Sequence, residues 1–262
     1  MIAMTRAALF DVNHTLLAIA DETETQALAV SVLYEETIRR TGVEPTWEEF
    51  RAAYDGAWSS GKRASFEEYR ETRYESIVQR ALANLGIRLA PDVLESVLQV
   101  YMQPLYEASY VIPGMRSLLE ELSQRVRLGV ITNYKYASGM RELLGRNGIS
   151  NLLDAVAISS EVGWKKPAQP IYEAILRRLA VEPQECILVG DELEKDLWQA
   201  SKFGMTTVLF ISQEHQWHDA EFADLLRARL ADEEPKCDYV AKSVGELRAV
   251  LNELVAPSSQ PL

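Results

Sequence analysis

The sequence predicts an α/β fold built on a mostly parallel sheet and interrupted near its start by an all-helical insertion. Three features predict it: short apolar runs alternate with single helical patterns from residue 113 onward, residues 17–108 carry helical periodicity without a strand, and polar groups capable of chemistry directly follow the apolar runs. Strands joined by single helices need crossover connections, which put helices on both faces of a parallel sheet. In such sheets ligands bind at the C-terminal ends of the strands.

In chain order, RAALFDV (6–12) is stopped by polar residues too soon for a helix and reads as the first strand. Helices are expected near 22–41, 46–57, 65–84 and 91–106. Their punctuation is Thr41-Gly42, a capping box of Thr46 with Glu49, Ser60-Gly61, a second box of Ser65 with Glu68, and Leu85-Gly86 followed by Pro91. After Pro113-Gly114 the strands are RLGVIT (127–132), DAVAIS (154–159), CILVG (186–190), TTVLFI (206–211) and a weaker DYVAK (238–242), with helices near 115–124, 137–147, 168–180 and 194–203. The core is therefore 1–16 and 109–262, and the helical insertion 17–108.

The bulk properties exclude several classes. A chain of 262 residues with 47% hydrophobic and 25% charged residues can bury a full core. Its formal net charge of −12 opposes a polyanionic surface, so nucleic acid is not an expected partner. Arg6 and Asp11 break up any apolar leader and no run approaches membrane-spanning length, which points to a cytoplasmic protein without membrane attachment, as monomer or homodimer. Cys186 and Cys237 are too few for a disulfide framework and read as reduced thiols. The acids Asp232, Glu233 and Glu234 read as solvated loop charge, and His215 with His218, for which no third ligand is evident, as an exposed helix start.

Polar residues at the strand ends form a coherent set. The first strand ends in Asp11, the second in Thr132 and Asn133, the third leads into EVGWKKP (161–167), and the fourth runs into GDELEKD (190–196). A candidate nucleophile, a hydroxyl, one or two lysines and two further carboxylates would meet in one crevice. Of the lysines, Lys166 precedes Pro167 and is biased to an extended backbone, whereas Lys165 reads as solvated.

Taken in order, Asp11-Val12-Asn13-His14-Thr15, Val130-Ile131-Thr132-Asn133, Lys166-Pro167 and Gly190-Asp191 with Asp196 resemble the four motifs of the haloacid dehalogenase-like superfamily. That resemblance implies a Rossmann-like core with a helical cap inserted after the first motif. It also implies hydrolysis of a small phosphorylated metabolite with Mg²⁺ as cofactor. Asp11 would attack phosphorus and form an aspartyl-phosphate. Asp11, Asp191 and the backbone carbonyl of Asn13 would bind Mg²⁺, with Asp196 as an outer or water-mediated partner. Thr132, Asn133 and Lys166 would bind the phosphoryl oxygens, helped by the amide groups after Asp11.

Asn13 departs from the pattern. The family's second aspartate protonates the leaving oxygen and then activates water, and an amide does neither. Binding should survive while turnover weakens. His14 is expected to point away from Asn13 on an extended backbone, in a structural or rim position. Two alternatives to a phosphatase remain: a phosphate-binding or regulatory protein without turnover, and a dehalogenase- or phosphonatase-like hydrolase using Asp11. Retention of Asp191 and Asp196 argues against a dehalogenase, and Lys62 is the only lysine in 17–108 that a phosphonatase-like Schiff base would have. In the cap, Arg63, Tyr69, Arg70 and Tyr74 are candidates to reach the crevice, with hinges near 17–21 and 107–113.

Overall fold

The computed structural model describes residues 4–211 and 237–255, with side chains at 62–68 left aside. Six strands form one parallel sheet in the order β5-β4-β1-β6-β7-β8. They are β1 (Ala7–Phe10), β4 (Arg127–Thr132), β5 (Ala155–Ile158), β6 (Cys186–Gly190), β7 (Thr206–Phe210) and β8 (Tyr239–Ala241). The predicted strands are all present. Placing β1 at the centre, between β4 and β6, puts the three strand ends that carry most of the motifs side by side.

Alternation of side chains sorts β1 between two cores. Ala8 and Phe10 join a cluster with Leu128, Val130, Ile187 and Val189. Ala7 and Leu9 face the other way, toward Ile171, Ile175 and Leu179 of α9 (Gln169–Leu179). Both faces are covered, as the unbroken apolar strands require. Cys186 and Cys237 are free thiols.

The segment after β1 holds α1 (Glu22–Thr41), α2 (Trp47–Glu68), α3 (Tyr74–Asn84), α4 (Pro91–Tyr101) and α5 (Gln103–Ala108). It is flanked by two strands too short for periodicity to reveal, β2 (Leu17–Ile19) and β3 (Ser109–Val111), which pair antiparallel. The larger cluster runs from the sheet into these helices through residues such as Leu33, Phe50 and Leu98.

Three expectations are corrected here. The Thr46–Glu49 capping box forms, but the helix it starts runs through Ser60-Gly61 to Glu68, so Ser65 lies inside a helix rather than at the start of one. Gly61 serves packing: a Cβ there would stand 3.3 Å from Thr72 Cγ2 and 3.4 Å from Ile77, so the absent side chain admits α3. Residues 69–73 then leave helical structure, because they pair with a distant loop described below. The expected helix 91–106 breaks at Met102, two residues before Pro104, whose missing N–H cannot continue the ladder.

Beyond the insertion come α6 (Met115–Ser123), α7 (Ala137–Arg146), α8 (Ser159–Val162), α10 (Trp198–Lys202) and α11 (Val244–Leu254). The last was not anticipated, although Ser243, whose Oγ accepts the Glu246 N–H at 3.1 Å, begins a recognisable cap. No helix among the described residues is long and apolar enough to cross a membrane. The expectations for His215, His218 and the acids at 232–234 lie outside the described residues.

Candidate active site

The site is assembled at the C-terminal edge of the sheet. Asp11 continues the β1 ladder by donating its N–H to Val189 O at 3.0 Å, which aims it out of the strand end beside β6. The chain then turns tightly: Leu16 N and Leu17 N both donate to Val12 O, at 2.8 and 2.9 Å, and His14 takes a left-handed conformation with φ of 56°. The extended backbone assumed for His14 is thus absent. Its Nε2 lies 3.3 Å from Glu22 Oε2 at the start of α1. Burial disfavours the charged imidazole, but the Glu22 hydrogen bond and the nearby acids Glu22, Asp11 and Glu192 outweigh it and raise the His14 pKa.

Lys166 is the hub of the site. Its side chain is 2% exposed, with Nζ 2.6 Å from Asp11 Oδ1 and 2.6 Å from Asp196 Oδ1. Burial opposes the ammonium, yet the two flanking carboxylates raise its pKa, so the lysine is held as a cation. Asn133, expected to meet substrate, has both amide atoms on the Lys166 backbone: Oδ1 accepts the Lys166 N–H at 2.7 Å and Nδ2 donates to its carbonyl at 3.1 Å. Thr132 is buried at the end of β4.

Motif IV is shaped by a missing side chain. A Cβ on Gly190 would stand 2.5 Å from Asp196 Oδ2 and 2.6 Å from Asp196 Cβ, so only glycine lets Asp196 tuck against the strand. Asp196 lies on a π-helical turn (Leu193–Leu197), where its Oδ2 accepts the Glu192 N–H at 3.1 Å and Tyr172 Oη donates to its carbonyl at 2.9 Å. Such turns are frequent at functional sites.

Asp11, Asp191 and Asp196 each offer a carboxylate oxygen within 4.8 Å of the others, all buried. Burial raises the Asp11 carboxyl, and Lys166 offsets that only in part. The Asp191 carboxyl is pushed well above the usual range by burial, then by repulsion from Asp196, Asp11 and Glu192. Three clustered carboxylates against one ammonium leave an excess of negative charge with oxygen donors only, which suits a hard divalent cation. Asp196 has its two oxygens engaged by Lys166 and Glu192, which fits an outer position better than direct ligation.

The structure brings Asp11, Asp191 and Asp196 together, with Lys166 between Asp11 and Asp196, Asn133 on the Lys166 backbone and Thr132 at the end of β4, the strand beside β1. Lys165 corrects an expectation: it is only 8% exposed, and its N–H donates to Tyr69 O at 2.9 Å. Arg70 packs on a loop of the core, its guanidinium 3.8 Å over the Trp164 ring. Tyr74 instead bonds Tyr54 through their hydroxyls at 2.9 Å, inside the helical layer. The side chain of Arg63 lies outside the described residues. Thr15, whose hydroxyl is 3.4 Å from Asp191 Oδ1, was visible as the threonine of the first motif but was given no role.

A model of the haloacid dehalogenase-like hydrolase family matches residues 9–210. A ribulose-1,5-bisphosphate 5-phosphatase from Halopiger xanaduensis is 29% identical over 93% of this chain and 98% of its own. A glyceraldehyde 3-phosphate phosphatase from Methanothermobacter thermautotrophicus is 36% identical over 38% of this chain and 45% of its own. A 2-haloacid dehalogenase from Pseudomonas syringae pv. Tomato DC3000 shares the fold with a TM-score of 0.67 at 22% identity, covering 95% of this chain and 99% of that one. With the family match spanning most of the sequence and its motifs meeting at one sheet edge, the chain belongs to the haloacid dehalogenase-like hydrolases.

Proposed function

We propose that this hydrolase is a Mg²⁺-dependent phosphatase of a small phosphorylated metabolite, working through an aspartyl-phosphate on Asp11, with turnover weakened by Asn13. The observation that carries the reading is the buried cluster of Asp11, Asp191 and Asp196 held around Lys166. A dehalogenase has no need of that acidic excess, and relatives named as a ribulose-1,5-bisphosphate 5-phosphatase and a glyceraldehyde 3-phosphate phosphatase support the same side.

Asp11 attacks phosphorus, forming a P–O bond as the ester oxygen leaves with its electron pair. Lys166 binds phosphoryl oxygens and neutralises the approach of two anions, while Thr132 Oγ1 and the N–H groups after Asp11 donate to the same oxygens. Asn133 orients Lys166. Asp11, Asp191 and the Asn13 carbonyl would hold the metal, with Asp196 as an outer partner. Bound Mg²⁺ supplies charge neutralisation for the transferring group. Residues 17–108 act as the cap, closing over the crevice from hinges at β2 and β3 and excluding water. The protein works in the cytoplasm as a monomer or homodimer.

In the family's first motif the residue two positions after the nucleophile supplies leaving-oxygen protonation, which the amide of Asn13 would not do. Loss of a general acid/base costs about 10²–10⁴-fold, or roughly 3–5 kcal/mol of barrier. This favours one second reading, a phosphate-binding protein with little turnover. The test compares the chain with Asn13→Asp on sugar phosphates, nucleotides and an aryl phosphate with Mg²⁺. The aspartate variant should be at least about tenfold faster on alkyl phosphates, with a smaller gain on the aryl ester, whose leaving group needs little protonation. Equal rates on both would remove Asn13 from the acid/base role. Failure of the unmodified chain to bind both Mg²⁺ and tungstate would sink the phosphatase and phosphate-binding readings together.

A further inference from the structure

Between α2 and α3, residues 69–73 lie along two loops of the core. Tyr69 O accepts the Lys165 N–H at 2.9 Å and Glu71 N donates to Gly163 O at 3.1 Å, with Arg70 and Trp164 paired antiparallel between them. Two further bonds follow: Arg73 Nε to Ser160 O at 3.1 Å and Tyr74 N to Lys135 O at 3.0 Å. Inside this seam the Glu71 side chain is 2% exposed, with Oε1 2.8 Å from Lys135 Nζ. Its Oε2 accepts from Ser159 Oγ at 2.7 Å, and Ser159 Oγ in turn accepts the Tyr134 N–H at 2.9 Å.

A buried carboxylate is tolerated when it is paired and hydrogen-bonded, and costly otherwise. Beyond the local Thr72 N–H at 2.9 Å, Glu71 meets that condition where three segments come together: the linker of the insertion, the loop after β4 and the start of α8. The same core segments fix Lys166. Asn133, two residues before Lys135, clamps its backbone, and Lys165, the residue before it, hangs from Tyr69.

We propose that Glu71 is a positioning residue, whose carboxylate ties Lys135 to Ser159 and thereby makes the placement of Lys166 depend on the helical insertion being docked. It touches none of the reacting groups. The inference rests on the reading of Lys166 as the phosphoryl-binding cation, and adds what sets that lysine in place. Separating the insertion from the core would part Glu71 from Lys135 and Ser159 and release Lys165 from Tyr69. A substrate would then meet an aligned Lys166 only in the docked arrangement.

The test uses the full chain with Glu71→Gln, Lys135→Met, Ser159→Ala and the double Glu71→Gln/Lys135→Met. Hydrolysis of p-nitrophenyl phosphate with Mg²⁺ and amide hydrogen exchange across residues 163–166 are both measured, well below the melting temperature. Expected are a fall in kcat of at least about tenfold for Glu71→Gln and for Lys135→Met, a smaller fall for Ser159→Ala, and a double variant no worse than the poorer single. Exchange at Lys165 and Lys166 should quicken by about tenfold or more while β1 and β6 stay protected. Unchanged local exchange in the folded variants overturns the proposal. So do losses that multiply in the double variant, or a lowered melting temperature with kcat intact. If the unmodified chain hydrolyses no phosphate ester, the phosphatase reading fails, and the exchange at 163–166 decides the positioning role by itself.

Discussion

Lys166 lies against Asp11 and Asp196, whereas the hydroxyl of Thr15, 3.4 Å from Asp191 Oδ1, is a neutral partner for the remaining carboxylate. Burial and three neighbouring acids raise the Asp191 pKa in the metal-free protein. A carboxyl raised in the folded state contributes stability that is fully present below the ordinary value, about 4, and is lost as pH rises through the folded value. Metal-free protein should therefore gain stability as pH falls from neutral toward that range, as far as this group decides it. Mg²⁺ bound as proposed would reverse the preference by favouring the ionised form, so its affinity should fall as pH is lowered and binding should release protons. Asp191→Asn is expected to raise the melting temperature in EDTA at pH 7.5 by roughly 2–4 °C, for about 1 kcal/mol, and to abolish the response to Mg²⁺. Calorimetric scans with EDTA and with Mg²⁺ check both. Asp11, Thr132 and Asp191 were legible as candidates because each stands at the end of an apolar run or directly after it. Lys165 and Glu71 were not, since their partners lie far away in sequence: Glu71 meets residues 64 and 88 positions on.

At the scale of elements, strand β6 and the π-helical turn after it depend on Gly190. Ala at this position would drive a methyl into Asp196, which Lys166, Glu192 and Tyr172 hold in place. Overpacking of this kind costs typically about 1–3 kcal/mol. Gly190→Ala should lose that much in urea unfolding, and should lose Mg²⁺ binding as well, because the displaced acid is part of the site; full Mg²⁺ affinity would show that Asp196 can move without consequence. The elements themselves were legible where their pattern was long. Strands β4 and β6 and helix α1 match their expected bounds, since apolar runs and a Thr41-Gly42 stop mark them locally. The misreading at Ser60-Gly61 has a different origin: a glycine that breaks a helix and one that admits a neighbouring helix look alike until the neighbour is placed. The strands β2 and β3 are stabilised by each other across the whole insertion, which no local window contains.

Across the whole molecule, one hydrophobic cluster extends from the sheet through the insertion, while the acids that oppose each other sit in a single crevice at the strand ends. Folding therefore gathers repelling charge at one place, and a ligand that neutralises it should stabilise the entire chain. A ligand that binds only the folded state contributes RT ln(1 + [L]/Kd), about 2.7 kcal/mol at a hundredfold excess over Kd. For a chain near this size each kcal/mol moves the melting temperature by about 2–4 °C, so Mg²⁺ with tungstate should raise it by roughly 5–10 °C. Asn13→Asp should keep that shift, because on the proposed reading residue 13 would offer the metal its backbone carbonyl whichever side chain it carries. Lys166→Met should lose most of the tungstate part and retain a response to Mg²⁺ alone. Melting curves for the three proteins with Mg²⁺, tungstate and both together separate these contributions. A shift in the unmodified chain that Asn13→Asp abolishes would mean that the side chain of Asn13, and not its carbonyl, is what the ligands require.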